Sequence, residues 1–342
     1  MTVVAGATRI REARSHVYQA IASHMQADLT KAVWQMLNTF LPYFALWGLM
    51  IFTILQGYPY WTTLLLAIPA AGLHVRIFIF FHDCVHGSFF ESQRGNRILG
   101  YVAGVLTFTP FEAWRRSHAI HHATVGDLDR RGTGDVWTLT VEEYLALPWW
   151  KQAAYRSYRN PLLLFVVGPA LIFLIGHRIP HKGAKKLERF SVLFTDLALL
   201  AVIGLASLTI GFRTYVMVQL PILLISGSLG VWMFYVQHQF DGGYWARHEE
   251  WDPLTASLAG SSYYKLPRVL QWFTGSIGLH HVHHVQPRIP NYNLQECNDS
   301  IPEFHTIEPL TIRTSLRSVK MNLWDEKKEK FVSFRSLRPQ PL

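Results

Sequence analysis

The chain contains four apolar stretches that are each long enough to cross a lipid bilayer as an α-helix. They cover residues 33–55, 61–81, 192–212 and 215–235. About 20 apolar residues in a helix span the hydrocarbon core, where the backbone must satisfy its own hydrogen bonds. Half of the 342 residues are hydrophobic and only 16% are charged. The sequence therefore predicts an all-α integral membrane protein.

Two shorter apolar stretches, residues 98–111 and 161–176, need a separate argument. The first is too short to span the bilayer, and Pro169 interrupts the second. If the histidine clusters described below form one site, the chain must cross the membrane an even number of times between His86 and His238. Loops rich in Lys and Arg favour the cytoplasmic side. Residues 177–189 form such a loop, with Arg178, Lys182, Lys185, Lys186 and Arg189.

These constraints predict four transmembrane helices, with the two shorter stretches re-entrant or interfacial and both termini cytoplasmic. Six spans with a different pairing are the alternative. The predicted organisation is a cytoplasmic N-terminal segment at residues 1–32, a membrane domain at residues 33–334 and a tail at residues 335–342. We expect residues 15–31 to form an amphipathic helix on the membrane surface. A cytoplasmic cap on the membrane domain is expected to carry the functional site.

Three histidine clusters distinguish this chain, which has 17 histidines and 2 cysteines. Helix residues spaced i, i+4 or i, i+3, i+4 share one face. Residues with this spacing are His82 and His86; His118, His121 and His122; and His280, His283 and His284. His238 follows the fourth apolar stretch and brings a further imidazole to the same membrane surface. The pattern predicts that nine imidazoles converge.

A metal centre explains these clusters better than core packing, because adjacent histidines beside a membrane are costly unless they pair or coordinate. Imidazole binds zinc, copper and iron. A structural zinc takes four ligands and a catalytic zinc three, so eight or nine histidines indicate two metal ions with open positions. Iron is the natural choice where oxygen must be activated, since zinc has no redox chemistry. Two cysteines are too few for a disulfide framework or a four-thiolate iron–sulfur cluster.

The three boxes, spaced across apolar spans, resemble those of the membrane fatty acid desaturases and their hydroxylase relatives. Residues 81–90 (FHDCVHGSFF), 117–143, 230–240 (GVWMFYVQHQF) and 260–292 are similar to bacterial acyl-lipid desaturases of the bacillus delta-5 and delta-12 types. The resemblance covers residues 33–334. It implies that the eight box histidines ligate two iron ions, with His238 as the additional histidine outside the boxes.

One position departs from the family pattern. Desaturases that act on acyl-CoA carry an asparagine one helical turn before the additional histidine, and this chain has Phe234 there. The departure favours the acyl-lipid branch. It leaves open which group fills the last coordination position of the iron. The implied substrate is an acyl chain on membrane phospholipid or another lipid.

The resemblance implies an O2-dependent reaction that inserts a cis double bond. Oxygen accepts four electrons and the substrate returns two, so two more must come from elsewhere. The sequence carries no flavin, nicotinamide, haem or iron–sulfur motif. A separate donor of the ferredoxin or flavodoxin type is therefore implied, and the net charge of +9 would attract an acidic one. No nucleic-acid partner is expected, the oligomeric state is left open, and the active site is expected on the cytoplasmic side of the cytoplasmic membrane.

Carboxylates near the boxes could orient the ligands by accepting the second ring proton of each imidazole. The candidates are Asp83, Asp127, Asp129 and Asp135. The alternative role for them is loop capping and ion pairing with Arg130 and Arg131. His281 lies off the helical stripe and is expected to be a neighbour of the ligands only. His74 and Arg76, inside the second span, are expected to be buried or snorkelling residues.

Two other functions remain compatible with this sequence. A lipid, alkane or carotenoid hydroxylase or ketolase would share the boxes and differ after hydrogen abstraction. A membrane metal carrier or sensor would place polar ligands near mid-depth along a pathway, whereas here the clusters gather at the ends of spans.

Overall fold

The computed structural model describes residues 17–337, which are mainly helical. Residues 17–22 are helical, and the α-helices that follow are α1 (Leu29–Leu55), α2 (Tyr60–His86), α3 (Gln93–Leu106), α4 (Phe111–Thr124), α5 (Val141–Ala146), α6 (Trp149–Tyr158), α7 (Gly168–Leu174), α8 (Lys186–Thr209), α9 (Phe212–His238), α10 (Pro253–Ala259), α11 (Arg268–Phe273), α12 (His280–Val285), α13 (Leu294–Ser300) and α14 (Ile312–Ser315). The strands are β1 (Leu139–Thr140), β2 (Tyr263–Tyr264), β3 (Pro309–Leu310), β4 (Leu323–Asp325) and β5 (Lys330–Val332).

Four helices in the described residues, α1, α2, α8 and α9, are long and apolar enough to cross a membrane. This confirms the predicted four-span architecture. The helices continue beyond the apolar stretches at the ends that carry histidines, since α2 ends at His86 and α9 at His238. A 27-residue helix is about 40 Å long, against about 30 Å of hydrocarbon. The last turns of α2 and α9 therefore have the length to project beyond the hydrocarbon.

Gly87 ends α2 directly after the first histidine box. Its φ of 68° lies in the left-handed region, which glycine adopts without a steric penalty. The Gly87 N–H donates to the carbonyl of Cys84 at 3.1 Å, and the Ser88 N–H donates to that of Asp83 at 3.0 Å. These bonds close the last turn and hold the first box on regular helix.

The predicted surface helix at residues 15–31 is not continuous. Residues 17–22 are helical, Ser23–Met25 form a 3-10 turn and α1 begins at Leu29. Asp28 interrupts the helix because its carboxylate caps α1, accepting from the Lys31 N–H at 2.9 Å. The remainder of the predicted N-terminal segment, residues 1–16, lies outside the described residues, as do residues 338–342 of the predicted tail.

The stretch at residues 98–111 is not a single helix. It contains the end of α3, a turn and the first residue of α4, and so forms the tip of a helical hairpin. Helix α3 packs on α2 and ends at Leu106, and α4 begins at Phe111 and packs on α8. Gly104 allows this tight turn, since a Cβ at that position would lie 2.5 Å from the carbonyl oxygen of Thr109.

The stretch at residues 161–176 forms a π-helical turn, Leu163–Val167, followed by α7 and a 3-10 turn at Gly176–Arg178. Together with α6 it makes a pair bent by 62°, and counting that pair as one span would raise the number of spans to five. The end of this segment meets the tip of the α3–α4 hairpin. There the Phe108 carbonyl accepts from His177 at 3.2 Å and from Arg178 at 2.5 Å.

The chain after α9 forms a cap over the ends of α2 and α9. Its core includes Leu279, Val282 and Leu294, which pack with Tyr235 and Val236 of α9. Strand β4 pairs in parallel with β1 and antiparallel with β5, and β2 pairs in parallel with β3. Helix α12 packs on α10, and Leu279, directly before α12, forms a bridge with Tyr263 of β2.

Candidate metal centre

Four helices bring all nine predicted histidines into one buried region. His82 and His86 lie on the last turn of α2, and His238 is the last residue of α9. The second box lies on α4 and the third on α12. These helices start from different parts of the chain and meet at the same end of the span bundle, as the even number of crossings requires.

The nine imidazoles divide into two clusters. Within each cluster the ligand nitrogens all lie within 4.8 Å of one another. The first cluster contains His82, His86, His118, His122 and His283, and the second contains His121, His238, His280 and His284. Boxes two and three are therefore split, and α4 and α12 each contribute to both clusters.

Close contacts between ring nitrogens define both clusters. In the first, Nε2 of His122 lies 3.1 Å from Nε2 of His118 and 3.0 Å from Nε2 of His283. In the second, Nε2 of His238 lies 3.1 Å from that of His121 and 3.0 Å from that of His280. The Nε2 atoms thus point at a common centre in each cluster.

Hydrogen bonds on the far side of two rings establish which nitrogen carries the proton. Nδ1 of His121 donates to Oδ1 of Asp135 at 2.6 Å, and Nδ1 of His238 donates to the Gly260 carbonyl at 3.2 Å, because both oxygens only accept. In the neutral rings both Nε2 atoms then present lone pairs to each other. Two lone pairs at hydrogen-bond distance repel unless a cation lies between them, so this donor set fits a metal ion.

The pKa values of five box histidines also suit metal binding. Burial, and then the charges of neighbouring imidazoles, hold the pKa of His118 well below its usual value. The same two causes lower the pKa of each of the following: His122, His280, His283 and His284. Neutral imidazole is the form that ligates metals. In addition, Nε2 of His86 is buried with no hydrogen-bond partner, which a bound metal would satisfy.

Asp83 and Asp135 contact box histidines. Oδ1 of Asp83 lies 3.3 Å from Nδ1 of His82. Its other oxygen accepts from the backbone N–H of Asn291 at 2.7 Å and from the Asn291 side chain at 2.8 Å. Asn291 holds Asp83, and the Gly260 carbonyl accepts from His238. The sequence did not identify either residue, because backbone groups make some or all of these contacts and every residue type has them.

Asp127 and Asp129 contact His248 and Arg247, which lie outside the two histidine clusters. Oδ2 of Asp127 accepts from Nδ1 of His248 at 2.8 Å, and Asp129 pairs with Arg247 at 2.7 Å. Both residues connect the loop after α4 to the loop after α9. Loop capping and ion pairing, the alternative considered above, describe their contacts, and the prediction that Asp127 orients a box histidine is corrected.

His281 and the two polar residues inside α2 lie outside both clusters. His281 is buried between the rings of Tyr263 and Phe304, and burial lowers its pKa to about 4. His74 is buried and bonded to the carbonyl of Leu106 at 3.0 Å. Arg76 donates to Thr39 at 3.1 Å and stacks over the Trp272 ring, 4.1 Å from its centroid.

An apolar cavity of about 230 Å³ opens onto the two clusters. It lies between α2, α4, α7 and α9 and reaches His82 and His118 of the first cluster and His280 of the second. Apolar and aromatic side chains form its walls, among them Phe78, Trp114, Phe173 and Phe234. A cavity of this lining accommodates a hydrocarbon chain.

The sequence model of the family described as fatty acid desaturase matches residues 58–306. A fatty acid desaturase of Bacillus subtilis is 45% identical over 333 residues, which cover 97% of this chain and 94% of the relative.

More distant relatives belong to the same group. An sn-1 acyl-lipid omega-3 desaturase (ferredoxin) of a Synechocystis species is 26% identical, covering 73% of this chain and 66% of the relative. An omega-3 fatty acid desaturase of Caenorhabditis elegans is 26% identical, covering 86% of this chain and 73% of the relative. With its spans, its histidine clusters and a 45% identical relative along nearly its whole length, this chain belongs to the fatty acid desaturase family, close to the bacillus type.

Proposed function

We propose that this protein is an acyl-lipid desaturase that inserts a cis double bond into membrane lipid chains, using two iron ions and O2. The observation that carries the proposal is the opening of an apolar cavity onto both histidine clusters. The nine clustered histidines are the proposed ligands. A chain lying in this cavity would pass beside both metal positions.

An unactivated methylene group has no acidic proton, so acid–base chemistry cannot begin the reaction. Bound iron would supply the oxygen activation that removes two hydrogens from neighbouring carbons. The protein's own residues would then have to fix one carbon pair beside the clusters, since positioning accounts for much of such a catalyst's effect.

Several side chains suit that positioning role. Trp114 stacks on His118, with ring centroids 4.2 Å apart, and the Phe234 ring lies 5.2 Å from the rings of both His121 and His238. These aromatic groups cover the cavity side of the clusters and exclude water there. Phe234 stands where acyl-CoA desaturases carry asparagine, which supports a lipid-bound substrate.

Two electrons per turnover must be delivered by a separate protein. The Synechocystis relative is named as a ferredoxin-type desaturase, which supports a ferredoxin or flavodoxin donor for this chain. We place the clusters and both termini on the cytoplasmic side of the cytoplasmic membrane, because the Lys/Arg-rich loop at residues 177–189 precedes α8 at the same end of the bundle as the clusters.

Expression in cells that lack unsaturated lipids tests this function. We expect new lipid acyl chains with two hydrogens fewer than their precursors, and none from the His118→Ala variant. His281→Gln is the matched control, since His281 belongs to the same box sequence as three proposed ligands but lies outside both clusters. Products that gain an oxygen atom would instead identify a hydroxylase, and unchanged lipids with an intact protein would refute the proposal.

A further inference from the structure

Two basic segments meet at α4, the helix that carries the second histidine box. Residues 91–124 contain four arginines and two glutamates, and residues 177–191 contain five lysines and arginines and one glutamate. The first segment therefore contributes two net positive charges and the second four, out of nine for the whole chain. The segments are in contact, because the Ser191 hydroxyl accepts from the Ala113 N–H at 3.2 Å.

Buried carboxylates hold three arginines at this surface. Glu112 lies 3.1 Å from Arg97 and 2.6 Å from Arg115. Glu188 lies 2.9 Å from Arg116. Both glutamates are nearly inaccessible to solvent, whereas the three arginine side chains keep 55%, 50% and 38% of their area exposed. An approaching protein therefore meets the guanidinium groups and not the carboxylates that anchor them.

The outer face of α4 is turned toward water and not toward lipid. Its exposed residues are Arg115, Ala119 and Ala123, which share one side of the helix. Large apolar side chains are exposed on both neighbouring helices, for example Val102 of α3 and Phe190 of α8, but α4 exposes none. A helix face in contact with hydrocarbon would carry such side chains.

This face lies beside the first histidine cluster. Ala119 directly follows His118 and Ala123 directly follows His122, so the face is rotated by about 100° from these two histidines. His86 and His122 are half-buried, whereas all four histidines of the second cluster are buried. A protein bound against α4 would lie within about one helix diameter, roughly 10–12 Å, of the first cluster.

We propose that the outer face of α4 is the docking surface for an acidic one-electron carrier protein, and that electrons enter the metal centre at the first cluster. This inference rests on the proposed desaturase function. Charge complementarity supports this partner, because positive groups around a contact surface attract an acidic protein and speed its association. The small alanine side chains allow the carrier to approach the histidines closely.

Two docking events supply each turnover. In each event one reduced carrier loses one electron to the metal centre and leaves in its oxidised form. O2 is reduced with these two electrons and two protons from water, together with the two hydrogens that the acyl chain loses. The products are one double bond and two water molecules.

The test compares Ala119→Glu with Ala119→Lys, which place opposite charges at the same exposed position. Both residues are good helix formers. The full-length protein in phosphatidylcholine nanodiscs is titrated with an acidic plant-type [2Fe–2S] ferredoxin, and the Kd is measured. At about 50 mM salt we expect Ala119→Glu to raise the Kd at least about threefold and Ala119→Lys to leave it unchanged or lower it. At about 1 M salt the difference should disappear.

Arg313→Glu is the matched control. Arg313 is exposed on α14 in the cap, and its reversal changes the net charge by more than Ala119→Glu does, so an unchanged Kd would show that position matters and not total charge. In turnover assays Ala119→Glu should raise the KM for ferredoxin more than it changes kcat. Ala123→Glu and Ala123→Lys repeat the comparison should an Ala119 variant fail to fold.

Equal Kd values for the glutamate and lysine variants at low salt would overturn the inference, whether binding is unchanged or weakened in both. The inference is also wrong if the two variants differ only in their binding to phosphatidylglycerol vesicles, since the face would then contact anionic lipid. The Kd is measured without turnover, so these outcomes leave the desaturase function intact. A wild-type protein that binds ferredoxin but forms no unsaturated lipid would refute the function itself.

Discussion

Oδ1 of Asp135 lies 2.6 Å from Nδ1 of His121. This bond holds His121 with its Nε2 aimed at the second cluster. The two residues come from α4 and the loop that follows it, so the loop contributes directly to the geometry of the second histidine cluster.

Replacing Asp135 with asparagine should weaken metal binding at the second cluster. An amide is a poorer acceptor for the His121 ring proton, and loss of such a supporting contact typically costs about 10–100-fold in metal affinity or activity. Iron content after dialysis against a chelator and desaturation rate measure the effect. Asp127→Asn is the control, since Asp127 contacts His248, and equal losses in both variants would contradict the assignment.

The two clusters should load metal separately. His86→Ala removes a proposed ligand from the first cluster, and His280→Ala removes one from the second. Each variant should lose desaturation while keeping a substantial part of the iron bound by the wild-type protein. Elemental analysis of purified protein provides the measurement. His281→Gln should retain the full iron content, and complete metal loss from each single-cluster variant would argue against two independent positions.

Gly104→Ala should destabilise the hairpin that presents the second box. Its methyl group would lie 2.5 Å from the Thr109 carbonyl oxygen, and this backbone cannot move without shifting the start of α4. Overpacking of this kind costs about 1–3 kcal/mol. Thermal unfolding in detergent should show a lower midpoint than wild type. Gly204→Ala, which enters open space, should leave the midpoint unchanged, and an unaltered midpoint in Gly104→Ala would show that the turn adapts.

Arg159→Leu should loosen the junction between the spans and the cap. The buried Arg159 guanidinium donates to Gln239 at 3.0 Å, to Tyr235 at 3.2 Å and to the Met321 carbonyl. Leucine would leave these acceptors short of donors, at about 1–3 kcal/mol for each buried group left unpaired. A lower unfolding midpoint and faster proteolysis after residue 239 are expected.

Arg159→Lys is the companion variant, because it keeps one donor group and should fall between wild type and leucine. A leucine variant as stable as wild type would mean that water or neighbouring residues replace the lost bonds.

Much of the architecture was predictable because a membrane-spanning helix is specified by a continuous run of apolar residues. Twenty apolar residues need no partner to specify a span, so four spans followed from the chain. The predicted helix at residues 15–31 is interrupted at residues 26–28, where the Asp28 carboxylate caps the start of α1 by accepting from the Lys31 N–H.

Helical periodicity identified which histidines share a face, but the assembly of the clusters depends on distances between helices. The relative tilt and rotation of α4 and α12 decide that His118 and His121 belong to different clusters. They also decide that Asp135 contacts a box histidine whereas Asp127 contacts His248. Spacing along a chain specifies directions within one helix, whereas contacts between residues hundreds of positions apart arise only when the helices pack together.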